Sequence, residues 1–564
     1  MNQVTTKQTK VSSMLEDVRS LRTGTKYRGW MALLAGVLPV FTGCVMEPDL
    51  EPGDDTGELA GAASLTPADP CDSPLSTDPE RTLVVPLLMS KSGASARLQV
   101  DAGWYTNAVI QNTSSSLAKI RLRAVSTTGS EYCTIFSLAS RTAVTFRADN
   151  LQAAGTIAIP TFPAGSFEGS MFIETDQRLA AVVRLSNVPL GSMGRVGGTA
   201  AGDYHGLSLR PASAETGQEL TYPLMKSGFH GKSTTLFVQN VESWGDQLNV
   251  EVRTNDSKVY RYSVYVSGRR SVAIHPWQLT REPEQPGQPR PPMPTSCPTS
   301  ASAPCLGAVR IVSKYGARFG AVAIEHPASG DAQAIVANHF ENVWPASYRQ
   351  WLPLIKNQYQ GASTGIGIMN VSGSYQDVTV IFRKKTVPWS GYYHTFEDVP
   401  PYRSVVASPF AGTFGGFPTG ELGVVEIIST GPITSAADES NGNASASGYH
   451  GQRVAGDLAA PLIKFALSGR RTKTTLWNVG VQPVAITGAY TCRTTGGTYA
   501  HYTYSMPAEA GVAVDFQPTD IPAGNLCSAI FTTEQHTLVG TVSEEDIIAP
   551  SLNDGSIYEA IVLD

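Results

Sequence analysis

Beyond residue 44 this 564-residue chain has no long apolar run, and no stretch of 12 residues repeats its apolar positions at helical spacing. That excludes a helical bundle and a doubly wound α/β enzyme. Charge is scarce, at 16% of residues, and the net balance is −6, which argues against nucleic acid as a partner. Histidine is rarer still, at 9 residues, and none stands within metal-ligand spacing of a cysteine. With CxxC, HExxH, Walker and dinucleotide glycine motifs also absent, the sequence predicts no metal and no cofactor. The acidic clusters Asp54–Asp55 and Glu544–Glu545–Asp546 lack calcium-loop spacing and read as solvated surface.

What is present begins with an address. Lys7, Lys10, Arg19, Arg22, Lys26 and Arg28 precede the apolar run "WMALLAGVLPVFTGC", which is short and broken by proline. A basic stretch, a short apolar core and a small-residue end make an export signal, expected over 1–43. The leader is long, and translation from Met14 or Met31 is an alternative start. The phrase "VFTGC" resembles the lipobox of bacterial lipoproteins, with Thr42 and Gly43 before Cys44 and Phe41 where that family usually has Leu. The resemblance implies lipidation of Cys44 and a membrane partner through the lipid anchor. It also implies an exported protein held in the cell envelope, with the outer membrane or cell surface as the expected site because Val45 is not an aspartate.

Residues 44–80 are acidic, rich in Pro, Gly and small residues, and aperiodic, which predicts a disordered tether. Without the leader's six basic and two acidic residues, 36 basic residues stand against 46 acidic ones, a net charge of −10. Of seven cysteines, six remain once Cys44 is lipidated, an even number suited to an oxidising compartment. Nearness pairs Cys297 with Cys305 and Cys492 with Cys527, leaving Cys71 with Cys133, although six cysteines allow 15 connectivities.

The strongest signal is repetition. "PLLM" at 86–89, "PLMK" at 223–226 and "PLIK" at 353–356 and 461–464 are each followed by a related strand phrase. Those phrases are "TNAVIQNT", "TTLFVQNV", "TGIGIMNV" and "TTLWNV". A tyrosine phrase closes the unit as "YHG" at 204–206 and 449–451, while "NHFEN" at 338–342 and "IYEAI" at 558–562 keep only an aromatic. Short β-branched runs alternate with period two and are broken by Gly, Ser, Asn and Pro, the pattern of β-sandwiches. The sequence therefore predicts an all-β chain of four tandem Ig-like sandwich domains, at 81–215, 216–346, 347–455 and 456–564. The proline-rich segment 281–304 is expected to be a surface loop within the second domain, stapled at its base by Cys297 and Cys305. These phrases resemble repeated β-domains of exported bacterial surface proteins of undefined role, over residues 83–562. That resemblance implies architecture and location and brings no catalytic residue.

Chemistry is faint. "GASTG" at 361–365 satisfies G-x-S-x-G, but Ser363 stands where each unit enters a strand, without the strand-to-helix turn a hydrolase needs. His205 and His450 read as turn residues, with the following glycine supplying a positive φ and the tyrosine acting as a plug. Trp104, Trp244, Trp344, Trp351 and Trp389 fall near loops and strand ends; Trp244 and Trp389 are the candidate glycan contacts. The recurring Asn112, Asn240, Asn370 and Asn478 share the apolar face of their strands and are expected to bond backbone groups of the following turn. The expected function is non-enzymatic: a lipid-anchored envelope protein, adhesive or structural, presenting loops from a stalk-like array. A surface glycan, another envelope protein or a second copy are the expected partners. A carbohydrate-binding or substrate-capturing lipoprotein is the alternative, and a hydrolase the remote one.

Overall fold

A computed structural model describes residues 71–72, 81–91, 104–148, 156–163, 165–187, 201–209, 215–281, 289–295, 305–327, 336–342, 347–385, 387, 391–409, 417–441, 445–467, 470–494, 498–547 and 557–563. The leader, Cys44, nearly all of the tether, Cys297, Trp344, Trp389 and much of segment 281–304 lie outside them. The described chain is all-β; its one helical element is a 3-10 turn at Pro276–Gln278. All of it belongs to one compact unit, Ala60–Asp564.

Strands pair within four successive stretches, from Leu83 to Ser208, Thr216 to Asn342, Ser347 to His450 and Asp457 to Val562. Each stretch builds the same two layers. The outer layer holds an opening strand, Leu83–Lys91, Glu219–Phe229, Ser347–Asn357 or Asp457–Phe465. The inner layer holds the repeated phrase as a docking strand, Trp104–Asn112, Lys232–Asn240, Ser363–Asn370 or Arg470–Asn478. A return strand pairs antiparallel with the docking strand, and a short axial strand pairs with the return strand at the inner edge. In the third unit one strand, Glu421–Asn441, spans both layers.

The proline-leucine pairs sit at β-bulges. In every opening strand the register slips across them, between Val85 and Leu88, Tyr222 and Met225, Leu352 and Ile355, and Ala460 and Ile463. Proline has no N–H for the ladder, so a bulge is where a paired strand tolerates it. The slip frees the leucine carbonyl, and the late tyrosine answers it. Tyr204 donates its hydroxyl to the Leu87 carbonyl at 3.0 Å and Tyr558 to Leu462 at 2.7 Å, with Tyr449 donating to Leu354 in the same way. In the second unit Asn338 stands in the tyrosine's place and reaches Tyr222 Oη at 3.3 Å. The first and last phrases of each repeat are thus two halves of one contact.

The units do not form a stalk. Each opening strand packs on the docking or return strand of the next unit, and the fourth unit's opening strand packs on the first unit's. Four head-to-tail interfaces therefore close a ring. Closure explains why docking strands are buried on both faces. Leu236 and Val238 enter the second unit's core, while Phe237, on the opposite face, joins the first unit's cluster with Val322 and Ile324. At the other seam Val109 and Val182 of the first unit pack in the fourth unit's cluster.

Candidate metal centre

The four axial strands, Ala201–His205, Val336–His339, Ser445–His450 and Ile557–Glu559, meet one another at the centre of the ring. Their registers are equivalent. His205 stands opposite Val182, His339 opposite Val322, His450 opposite Ala436 and Glu559 opposite Thr541. One position of the repeat, occupied by His, His, His and Glu, thus converges on the axis from four units. All four side chains are buried.

The His205 and His339 rings lie 4.1 Å apart between centroids, as do those of His339 and His450. Glu559 Oε1 lies 3.1 Å from His205 Nδ1 and 3.1 Å from His339 Nδ1. Glu215 Oε1 approaches His205 Nε2 to 3.1 Å, and Glu341 Oε1 stands 3.9 Å from His450 Nδ1. Glu341 is itself held by Thr434 Oγ1 and by Gln350 Nε2 at 3.2 Å. His205 is thus held by a carboxylate at each ring nitrogen, whereas neither ring nitrogen of His450, 1% exposed, is aligned for a hydrogen bond.

Electrostatics separates the three imidazoles. Burial alone would lower His205, but Glu215 and Glu559 draw it up to about 10. His339 is held well below the ordinary range by burial and by its histidine neighbours, and His450 falls to about 3 by burial and the nearby His205. Burial raises Glu341 to about 7 and also raises Glu559.

His205 and His450 thus have a different setting from the turns that their "YHG" phrases predict. Both are strand residues packed on each other's neighbours at the axis, and Gly206 and Gly451 do not have positive φ. Gly451 is glycine because a Cβ there would stand 2.1 Å from Ser435 Oγ. Sequence reasoning missed His339, Glu559, Glu341 and Glu215. The signal was available for two of them: aligned on Tyr204, Asn338, Tyr449 and Tyr558, the next residues read His, His, His, Glu. The aromatic Phe340 in "NHFEN" suggested a different alignment.

The other candidate residues lie elsewhere. Asn240 Nδ2 donates to the Trp244 and Val266 carbonyls at 2.8 and 3.1 Å, and its Oδ1 accepts from Glu242 N at 3.0 Å. Asn112, Asn370 and Asn478 make the same set, each donating to a carbonyl four residues on and accepting from the N–H two residues on. Cys71 is bonded to Cys133 and Cys492 to Cys527, and Cys305 is also in a disulfide. Trp104 and Trp351 are buried, whereas Trp244 is 45% exposed. Ser363 opens a strand that continues to Asn370, with no helix after it. Part of the proline-rich segment folds back: Met293 is buried in the second unit's core and its N–H donates to the Leu279 carbonyl at 2.9 Å.

No family model and no curated protein matches the chain. Among solved structures, a tetra-tandem repeat in the extending region of a large adhesion protein aligns with 85% of this chain and 98% of its own, at 10% identity and a TM-score of 0.10.

Proposed function

We propose that the protein is a non-enzymatic, exported envelope protein whose ring of four sandwiches serves as an adhesive or structural head, held by a lipid on Cys44. The observation that carries this reading is a set of exposed tyrosines on outer strands. The outer layers of the third and fourth units end on Tyr392–Val399 and Tyr499–Ala508, which have no strand partner on their far side among the described residues. In the second unit Val259–Val266 is paired on its outer side only at Tyr260 and Arg261. These strands display Tyr393 at 76%, Tyr499 at 42% and Tyr265 at 65% exposure. Unpaired edges invite strand addition by a partner, and exposed tyrosines supply rigid amphipathic contacts. The disulfides suit an oxidising compartment outside the cytosol.

A second reading, capture of a carbohydrate, draws on the seam between the first and fourth units. There a cleft of about 410 Å³ is lined by Thr145, Arg147, Pro461, Arg493 and Tyr499 among others. One experiment addresses both. Intact cells carrying the full chain, with Cys44 kept or replaced by Ser, are treated with external protease and scored for attachment to other cells and to glycan arrays. Surface cleavage that needs Cys44, with attachment lost when Tyr265 and Tyr393 are changed to Lys, supports the adhesive reading. Glycan binding lost instead in Arg147→Ala and Arg493→Ala supports capture. A chain protected from external protease in intact cells overturns surface display.

A further inference from the structure

We propose that His205, His339 and Glu559, with His450 beside them, form a binding site for one divalent transition cation of the zinc class, which staples the ring at its axis. The inference goes beyond the adhesive reading and does not rest on it.

Three observations carry it. The first is donor geometry. A tetrahedral ion with bonds of about 2.0–2.1 Å holds neighbouring ligand atoms roughly 3.3 Å apart. The carboxylate oxygen of Glu559 stands 3.1 Å from Nδ1 of both His205 and His339, close to two edges of such a polyhedron. The donor atoms of these three residues all lie within 4.8 Å of one another, and so do those of His339, Glu341 and His450. The first group, tied by the two 3.1 Å contacts of Glu559, is the proposed site, and His450 stands beside it with its ring 4.1 Å from that of His339.

The second observation is want of partners. His450 is 1% exposed and neither of its ring nitrogens is aligned for a hydrogen bond. Buried polar groups are normally satisfied, so a buried imidazole without an aligned partner beside this cluster indicates a missing ligand. The carboxylate oxygen nearest that ring, Glu341 Oε1, stands 3.9 Å from His450 Nδ1, beyond hydrogen-bond reach. Glu341 is already engaged by Thr434 and Gln350, and Gln452, two residues past His450, bonds to the Gly540 backbone.

The third is origin. The four residues come from four units at one register position. A core built only for packing would fill such a position with apolar side chains, as the flanking Val182, Val322 and Ala436 do. Imidazole and carboxylate donors together, with cysteines 71, 133, 305, 492 and 527 all committed to disulfides, suit zinc, cobalt or nickel rather than a thiolate-seeking ion. Binding would draw strand ends from different units to one centre, so the ion would stabilise the closed ring over any opened form.

The test uses the full chain, stripped with chelator during unfolding and refolded with Zn²⁺ or Co²⁺ alone. Expected are about one ion retained per chain, a raised melting temperature, and visible Co²⁺ bands of four-coordinate nitrogen and oxygen ligation without a thiolate transition. His339→Ala should abolish retention, and Glu559→Gln should weaken it by at least about 10-fold. His501→Ala, in an outer strand, should leave it unchanged. Should His339→Ala fail to fold, the near-isosteric Glu559→Gln and the Co²⁺ spectrum of the unaltered chain decide. Absence of stoichiometric metal in the refolded chain would overturn the proposal, as would retention untouched by both substitutions.

Discussion

At the scale of single residues, the repeated asparagine is the clearest case of a polar side chain spending its whole bonding capacity locally. Asn240 is fully buried, and its amide engages two carbonyls and one N–H. Asn240→Ala leaves those backbone groups without partners in the interior, so a loss of about 1–3 kcal/mol in denaturant unfolding is expected. Asn240→Asp should be at least as damaging, because it aims a carboxylate at the Trp244 and Val266 carbonyls. The parity of Leu236, Val238 and Asn240 made this residue legible from sequence. Glu544 was not legible. Its run of acidic residues read as solvated surface, yet it is buried beside Lys464 at 2.8 Å, Arg470 at 2.7 Å and Arg184 at 3.0 Å. Burial alone would raise its carboxyl, but the three cations hold it well below the usual range. A depressed carboxylate contributes stability above its unfolded value of about 4.3 and loses it as pH falls toward the folded value. Stability should therefore fall with acid below about pH 4.5. Glu544→Gln should flatten that slope while lowering stability at neutral pH; an unchanged acid slope would remove Glu544 from the account.

At the scale of elements, the docking strand shows where reading by period two stops. Alternation identifies one apolar face and leaves the other assigned to solvent. In the ring the second face meets the preceding unit, so Phe237 and Gly367, at one position of the repeat, are interface residues. Gly367 opens the space for Leu224: a Cβ there would stand 3.0 Å from Leu224 Cβ and 3.2 Å from the Pro223 carbonyl oxygen. The "PL" phrase and the glycine of "TGIGIMNV" are therefore partners across a seam, which comparison of copies in sequence could not reveal. Gly367→Val should overpack that seam and cost about 1–3 kcal/mol. Hydrogen exchange should locate the loosening in Glu219–Phe229 and Ser363–Asn370 rather than in the first or fourth unit.

At the scale of the whole molecule, a ring of like units has to hold its parts in order, and its seams differ chemically at one equivalent place. In units two to four the lysine of the "PLxK" phrase pairs with a glutamate of its own return strand: Lys226 with Glu325 at 2.5 Å, Lys356 with Glu439 at 2.6 Å and Lys464 with Glu544 at 2.8 Å. Unit one has Met89 and Leu185 in those places, both buried in its apolar cluster. The residue that the next unit presents to the pair changes to match. Ile324 faces the apolar pair, Asp438 bonds Lys226 at 2.7 Å, Ser543 lines the same small cavity as Lys356, and Arg184 bonds Glu544 at 3.0 Å. Mismatched neighbours would bury an unpaired charge, which disfavours a shuffled or domain-swapped ring. The first seam is also a natural design for a test. Lys226→Met alone should cost about 3–5 kcal/mol, because it leaves Asp438 without its cation beside the Glu325 carboxylate, which keeps Lys232. The triple change Lys226→Met, Glu325→Leu and Asp438→Ile copies the first seam onto the second, and replacing a buried ionic cluster by packed apolar groups is often neutral or stabilising. Lys232 also contacts Glu325, at 3.0 Å, but it keeps 16% side-chain exposure and can turn to water in the triple variant. Recovery of the melting temperature in the triple variant would show that the charges at this seam serve pairing order rather than stability. A triple variant no better than Lys226→Met would show instead that the surrounding backbone requires the ion pair.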